Sequence, residues 1–167
     1  SNAMETYVYI NHVDGIDKGL YHYVQTDHTL ALLNDKEDLE NKVNDALNHQ
    51  LREASIVVIL TAVPYRSEYK YSFCAHKMIG SEGGRYGQSL RLAAEVIDSG
   101  VCALAAYNQE LLDEVLQVDG TEEFANRLEI ALIDQTKQFG YVTVAPMLYT
   151  TADDVSFAFN SDNYADV

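Results

Sequence analysis

Basic residues are scarce in this chain: 11 lysines and arginines stand against 26 aspartates and glutamates, for a net charge of −15. A phosphate backbone is repelled by such a charge, so nucleic acid and anionic membrane are poor partners. Cysteine is scarcer still. Cys74 and Cys102 do not form a C-x-x-C pair and give no disulfide framework. No apolar run reaches the length of a membrane span, and no basic segment followed by an apolar one opens the chain, so the expected location is the cytoplasm. Histidines at positions 12, 22, 28, 49 and 76 lack the H-x-x-x-H or H-E-x-x-H spacing of a metal site. The G-x-S-x-G elbow of serine hydrolases is absent as well. Most carboxylates lie on the polar sides of expected helices, where solvated charge is the ordinary explanation.

What is present suits a folded domain. Hydrophobic residues make up 47% of the chain. Ser1-Asn2-Ala3 reads as a leftover tag, with Met4 as the native start. The alternation in "ETYVYINHV" from Glu5 predicts a strand, and "GLYHYV" and "HTLALL" predict a hairpin. "DKEDLENKVNDALNHQL" has the periodicity of an amphipathic helix with Asp35 as its N-cap. "ASIVVILTAV" is a continuous β-branched run, as in a strand buried on both faces, ended by Pro64. Next come a long helix in "QSLRLAAEVIDSG", a strand in "VCALAAY", a short helix begun by Asn108, a strand in "RLEIALI" and a further strand in "GYVTVAPMLYT". The order predicts one α+β domain over 4–149 with a mainly antiparallel sheet. Residues 150–167 are expected to form an arm, flexible or laid on a partner.

Two stretches raise functional questions. "KMIGSEGGRYGQSL" holds four of the nine glycines yet matches neither the G-x-G-x-x-G dinucleotide fingerprint nor the G-x-x-x-x-G-K-[ST] phosphate loop. From Gly80, the other three fall at the spacing of one helix face. Each costs a helix about 1 kcal/mol relative to alanine, so either a turn precedes a helix starting at Arg85 or something approaches the glycine backbone closely. Local rules leave both readings open. "PYRSEYKYSF", directly after the buried strand, reads as a loop rich in Arg66, Lys70 and tyrosines. Lysine and tyrosine can each move a proton when burial shifts their pKa values, although an ordinary tyrosine-rich loop gives the same pattern.

Taken in order, "GLYHYVQTDHTLALL", "VVILTAVPYR", "KY", "EGGRYGQSLRLAAEVIDSG" and "YNQELLDEVLQVDG" resemble the C-terminal part of SagB-type dehydrogenases. These are nitroreductase-like flavoproteins that include azoline oxidases of thiazole/oxazole-modified peptide pathways. The resemblance covers roughly residues 7–133. It implies a nitroreductase-like fold, truncated on its N-terminal side, with FMN at the interface of a homodimer built on long central helices. It places the family's catalytic Lys-Tyr pair on Lys70 and Tyr71 and an upstream arginine on Arg66. It puts the glycines on the central helix, where Gly84 and Gln88 match a pattern like E-A-G-H-x-x-Q-N-L while Arg85 and Ser89 replace its histidine and asparagine. The Arg/Ser-rich segment that serves the FMN phosphate precedes the matched part. Cys74 replaces a basic residue, and the glycine usual after the last strand is missing in "ALIDQTK". Two functions follow as expectations: an FMN-dependent oxidoreductase acting on a small molecule or a peptide, or a flavin-free dimeric binding or scaffold subunit, as in a peptide-modifying complex.

Overall fold

The computed structural model describes residues 2–97 and 99–132. Strands β1 (Met4–Ile10), β2 (Gly19–Val24), β3 (Thr29–Asn34), β4 (Ile56–Ala62), β5 (Gly100–Leu104) and β6 (Phe124–Leu132) form one sheet in the order β3-β2-β1-β4-β6-β5. Every neighbouring pair is antiparallel. Helices α1 (Leu39–Ala46), α2 (Pro64–Tyr71), α3 (Ala75–Val96) and α4 (Gln109–Leu116) complete the described architecture. The expected α+β class with an antiparallel sheet and a long helix is what the chain adopts. The expected strand over 140–150 and the arm over 150–167 lie outside the described residues.

Strand β4 sits near the middle of the sheet because its apolar residues serve both faces. Val57 and Ile59 join Tyr7, Tyr9 and Leu128 in a core closed by Leu39 and Val43 of α1 and by Leu112, Val115 and Leu116 of α4. Val58 and Leu60 point to the other face, where Met4, Ala62 and Ile79 of α3 make a thinner layer. Burying each such aliphatic side chain contributes about 1.5–3 kcal/mol, so most of the stabilisation lies on the α1/α4 side. Among the described residues, α3 is the helix that covers the other side.

Local chemistry sets several boundaries. The Asn108 side chain accepts a hydrogen bond from the Leu111 amide at 3.1 Å, which caps α4 as its sequence predicts. At α1 the expectation is corrected: the helix begins at Leu39 with Asp38, not Asp35, at the N-cap position. Asn34 Oδ1 accepts from the Lys36 amide at 3.1 Å, and the Leu39 amide reaches the Lys36 carbonyl at 3.0 Å, so the chain turns once before the helix starts. Positive φ at Asn48 and His49 stops it well short of Leu51. The expected loop after β4 is also corrected, because "PYRSEYKY" is helix α2 with Pro64 in its first turn. A proline is harmless there, since that N–H has no intrahelical partner. A 3-10 turn over Ser72–Cys74 joins α2 to α3.

The two thiols differ in access. Cys102 is buried in the core, and burial, aided by the charge of Glu129, pushes its thiol up to about 11, whereas Cys74 is half-buried. A thiol reagent is therefore expected to label one cysteine of the native chain and the second only after unfolding. Equal labelling of both by mass spectrometry would contradict the packing around β5.

Candidate functional site

The glycine question resolves into a helix. All four glycines lie within α3, which buries Ala75, Ile79, Gly83, Gly87 and Ala94 against the sheet. The four divide by role. A Cβ at Gly83 would come within 2.7 Å of Asn126 Oδ1, and one at Gly87 within 2.7 Å of Arg127 Cζ, so these two let β6 side chains pass beneath the helix. Among the described residues, nothing lies within 4 Å of a Cβ added at Gly80 or Gly84, and both are exposed on the outward face. The turn over 80–84 is thus excluded, and the close approach inside this chain explains two of the four glycines.

The expected site residues lie on the α2–α3 side. Lys70 and Tyr71 end α2, with Lys70 Nζ 5.4 Å from the Tyr71 ring centroid. Gly84 and Gln88 are exposed one turn apart on α3. Among the described residues, no hydrogen bond links Lys70 or Tyr71 to Gln88. Arg66 is already engaged: its Nη1 donates to Glu5 Oε1, while Glu5 Oε2 lies 3.1 Å from His22 Nε2. Burial alone would raise the Glu5 carboxyl, but the hydrogen bonds and charges of Arg66 and His22 outweigh it and hold Glu5 below its usual range. Arg66 therefore fastens α2 to β1.

Two polar clusters escape the sequence reading. In the first, Tyr7 Oη donates to Glu123 Oε1 at 3.0 Å, Thr61 Oγ1 donates to the same oxygen at 2.5 Å, and the Tyr7 ring lies 5.0 Å from His22. Burial, then the Glu123 charge, raises the Tyr7 phenol far above its usual value. In the second, Glu129 is 1% exposed on β6 beneath α3. Its Oε1 accepts from Arg127 Nε at 3.0 Å and Nη2 at 2.8 Å, with Arg91 Nη2 at 3.8 Å. Among the described residues its Oε2 has no hydrogen-bond partner. Burial raises the Glu129 carboxyl, opposed by the two arginines. The available signal was "RLEIAL", where charges two apart on an apolar strand must share one face.

These positions bear on whether FMN fits. Gly80 and Gly84 offer a strip without side chains that a flat ring could approach. The phosphate is another matter: a dianion needs converging donors, whereas Arg66 is held by Glu5, Arg91 turns toward Glu129, and Lys77 and Arg85 are exposed on α3. The described residues do not form a phosphate site.

Comparison with known proteins bears on the fold. A curated protein of Methanocaldococcus jannaschii, provisionally named a nitroreductase, is 23% identical over 116 residues, covering 69% of this chain and 59% of that protein. A crystal structure from Anabaena variabilis, provisionally named a nitroreductase as well, superposes with a TM-score of 0.74 at 23% identity over 81% of this chain and 28% of that one. The E. coli microcin synthetase McbBCD complex, solved with truncated pro-MccB17 bound, gives a TM-score of 0.67 at 14% identity over 77% of this chain and 51% of that one. No family model matches the chain. The fold is nitroreductase-like, as the resemblance implied, and the chain spans only 59% of its curated relative's length.

Proposed function

We propose that this chain is a nitroreductase-like subunit that works as a homodimer through its α2–α3 face and holds FMN weakly. The observation that carries the reading is the set of exposed apolar side chains on α2, the turn after it and α3. Tyr65, Tyr69 and Phe73 recur at four-residue spacing and are 72%, 86% and 85% exposed, and Leu92, Val96 and Ile97 at the C-terminal end of α3 are 61%, 85% and 59% exposed. Large apolar side chains left exposed in groups are common at association sites. The open backbone at Gly80 and Gly84 would let a second α3 approach closely, and a face meeting its own copy closes by two-fold symmetry.

Light scattering on the purified chain is expected to give a dimer. The preparation should be colourless, and FMN added to it should keep its fluorescence. A monomer at micromolar concentration would remove the reading.

A second reading, an FMN-dependent oxidoreductase acting on a small molecule or a peptide, is favoured by Lys70 beside Tyr71, in reach of one another and free of ion pairs among the described residues. A flavin would supply the redox chemistry, and Lys70 with Tyr71 would hold and move a proton. A yellow preparation with stoichiometric flavin would select this reading. Lys70→Ala and Tyr71→Phe should then each lower turnover by about 100-fold without releasing the flavin.

A further inference from the structure

The two edges of the sheet differ. β5 is buried or half-buried along its length, whereas residues 29–33 of β3 are all exposed. Among the described residues β3 pairs with β2 alone, so its alternate residues aim an N–H and a C=O away from the sheet. Such edges are ordinarily blunted by lysine, proline or a bulge. Residues 29–33 carry neither charge nor proline, and the ladder to β2 runs regularly over 29–32 and shifts only at Leu33, near the strand's end. Leu30 and Leu32 stand opposite Tyr23 and Tyr21 and continue that side of the sheet as an exposed apolar margin.

The charge around this edge selects its occupant. Asp27 is exposed before one end of β3, and Asp35 and Glu37 are exposed after the other. Asp17, whose carbonyl accepts from Tyr21 Oη at 2.8 Å, lies near that second end, and Lys18 beside it is taken by Glu40 at 2.6 Å. A second copy pairing antiparallel through β3 would set the Asp27 end of each against the Asp35 end of the other, and like charges so opposed are destabilising. A strand with cationic ends is attracted at both.

We propose that β3 is a docking edge for an extended segment of a partner protein, uncharged and β-branched at its centre with lysine or arginine at both ends, which pairs with 29–32 and continues the sheet. Main-chain hydrogen bonds supply the affinity, and the margin of Leu30 and Leu32 receives alternate apolar side chains. The edge carries none of the residues of the α2–α3 face, so the inference depends on neither the dimer nor FMN.

The test is titration of the full chain with the labelled peptide Lys-Lys-Thr-Val-Thr-Val-Thr-Val-Lys-Lys, read by fluorescence anisotropy. One control has glutamate in place of lysine; the other has every central amide N-methylated, which keeps the charge and removes the ladder. The parent peptide should saturate one site at least ten-fold more tightly than either control, since N-methylation removes several hydrogen bonds of about 1 kcal/mol each. Amide hydrogen exchange should slow in 29–34 on binding. Leu32→Lys, at an exposed position, should weaken binding at least ten-fold and leave the melting temperature nearly unchanged. If that variant does not fold, the exchange pattern decides. Equal binding of the N-methylated peptide, binding that survives Leu32→Lys, protection centred away from β3, or no saturable binding would each overturn the assignment. So would slow exchange of the outward amides of β3 in the free chain: if independent of concentration, another segment of this chain fills the edge, and if growing with concentration, a second copy does.

Discussion

Arg127→Met is expected to destabilise the chain by about 3 kcal/mol, the lower end of the range for breaking a buried ion pair from one side. The lower end applies because the Arg127 side chain is 25% exposed, although Glu129 is 1% exposed. Against a total stability of about 5–15 kcal/mol, the loss is large. A urea titration should show it as a lower midpoint with an unchanged slope.

The deficit should depend on pH with a definite sign. The folded-state pKa of Glu129 lies above its usual 4.5, so the fold disfavours its ionisation relative to the unfolded chain. Its contribution to stability is therefore greatest below about 4.5 and is lost as pH rises through the folded value. Removing Arg127 raises that value further, so the variant should approach the parent in acid and diverge from it toward neutrality. Glu5, held below its usual range, acts in the opposite sense, since its contribution is present above 4.5 and lost as pH falls through the lowered value. Arg127→Met/Glu129→Leu should recover most of the loss, because an apolar replacement of a whole buried pair is often neutral. A single variant within about 0.5 kcal/mol of the parent would mean the pair is not buried as described.

Gly87→Leu is expected to rank beside it. The guanidinium under Gly87 is tied to Glu129 and cannot swing aside without giving up those hydrogen bonds. Overpacking alone costs about 1–3 kcal/mol, and a disrupted ion pair adds to it. One turn earlier the same helix should respond in the opposite direction. Gly84→Ala meets nothing within 4 Å among the described residues and gains helix propensity, so the monomer should be stabilised by about 1 kcal/mol. If a second α3 packs on that strip, the same substitution should weaken self-association, read by light scattering across a dilution series. Stabilisation with the dimer intact would place the interface elsewhere.

Much of the frame was legible from single segments. The unbroken apolar run of β4 needs two covered faces, which obliges it to lie inside the sheet. The Asn108 cap, the β2–β3 hairpin and the order of elements behind the nitroreductase-like resemblance are local or sequential features, and the amino-acid sequence by itself determined them. Other features depend on what each segment packs against. "PYRSEYKY" reads as a polar loop, yet Ser67 is fully buried within α2, so docking overrides propensity there. The glycine spacing fixes a helix face but not its neighbour, and only the tertiary structure decided that Gly83 and Gly87 admit Asn126 and Arg127 while Gly80 and Gly84 face outward. Glu129 is the extreme case: in the sequence it is one of many acidic residues, and it becomes a buried carboxylate with one oxygen unpartnered among the described residues only because β6 turns its side chain beneath α3, away from water.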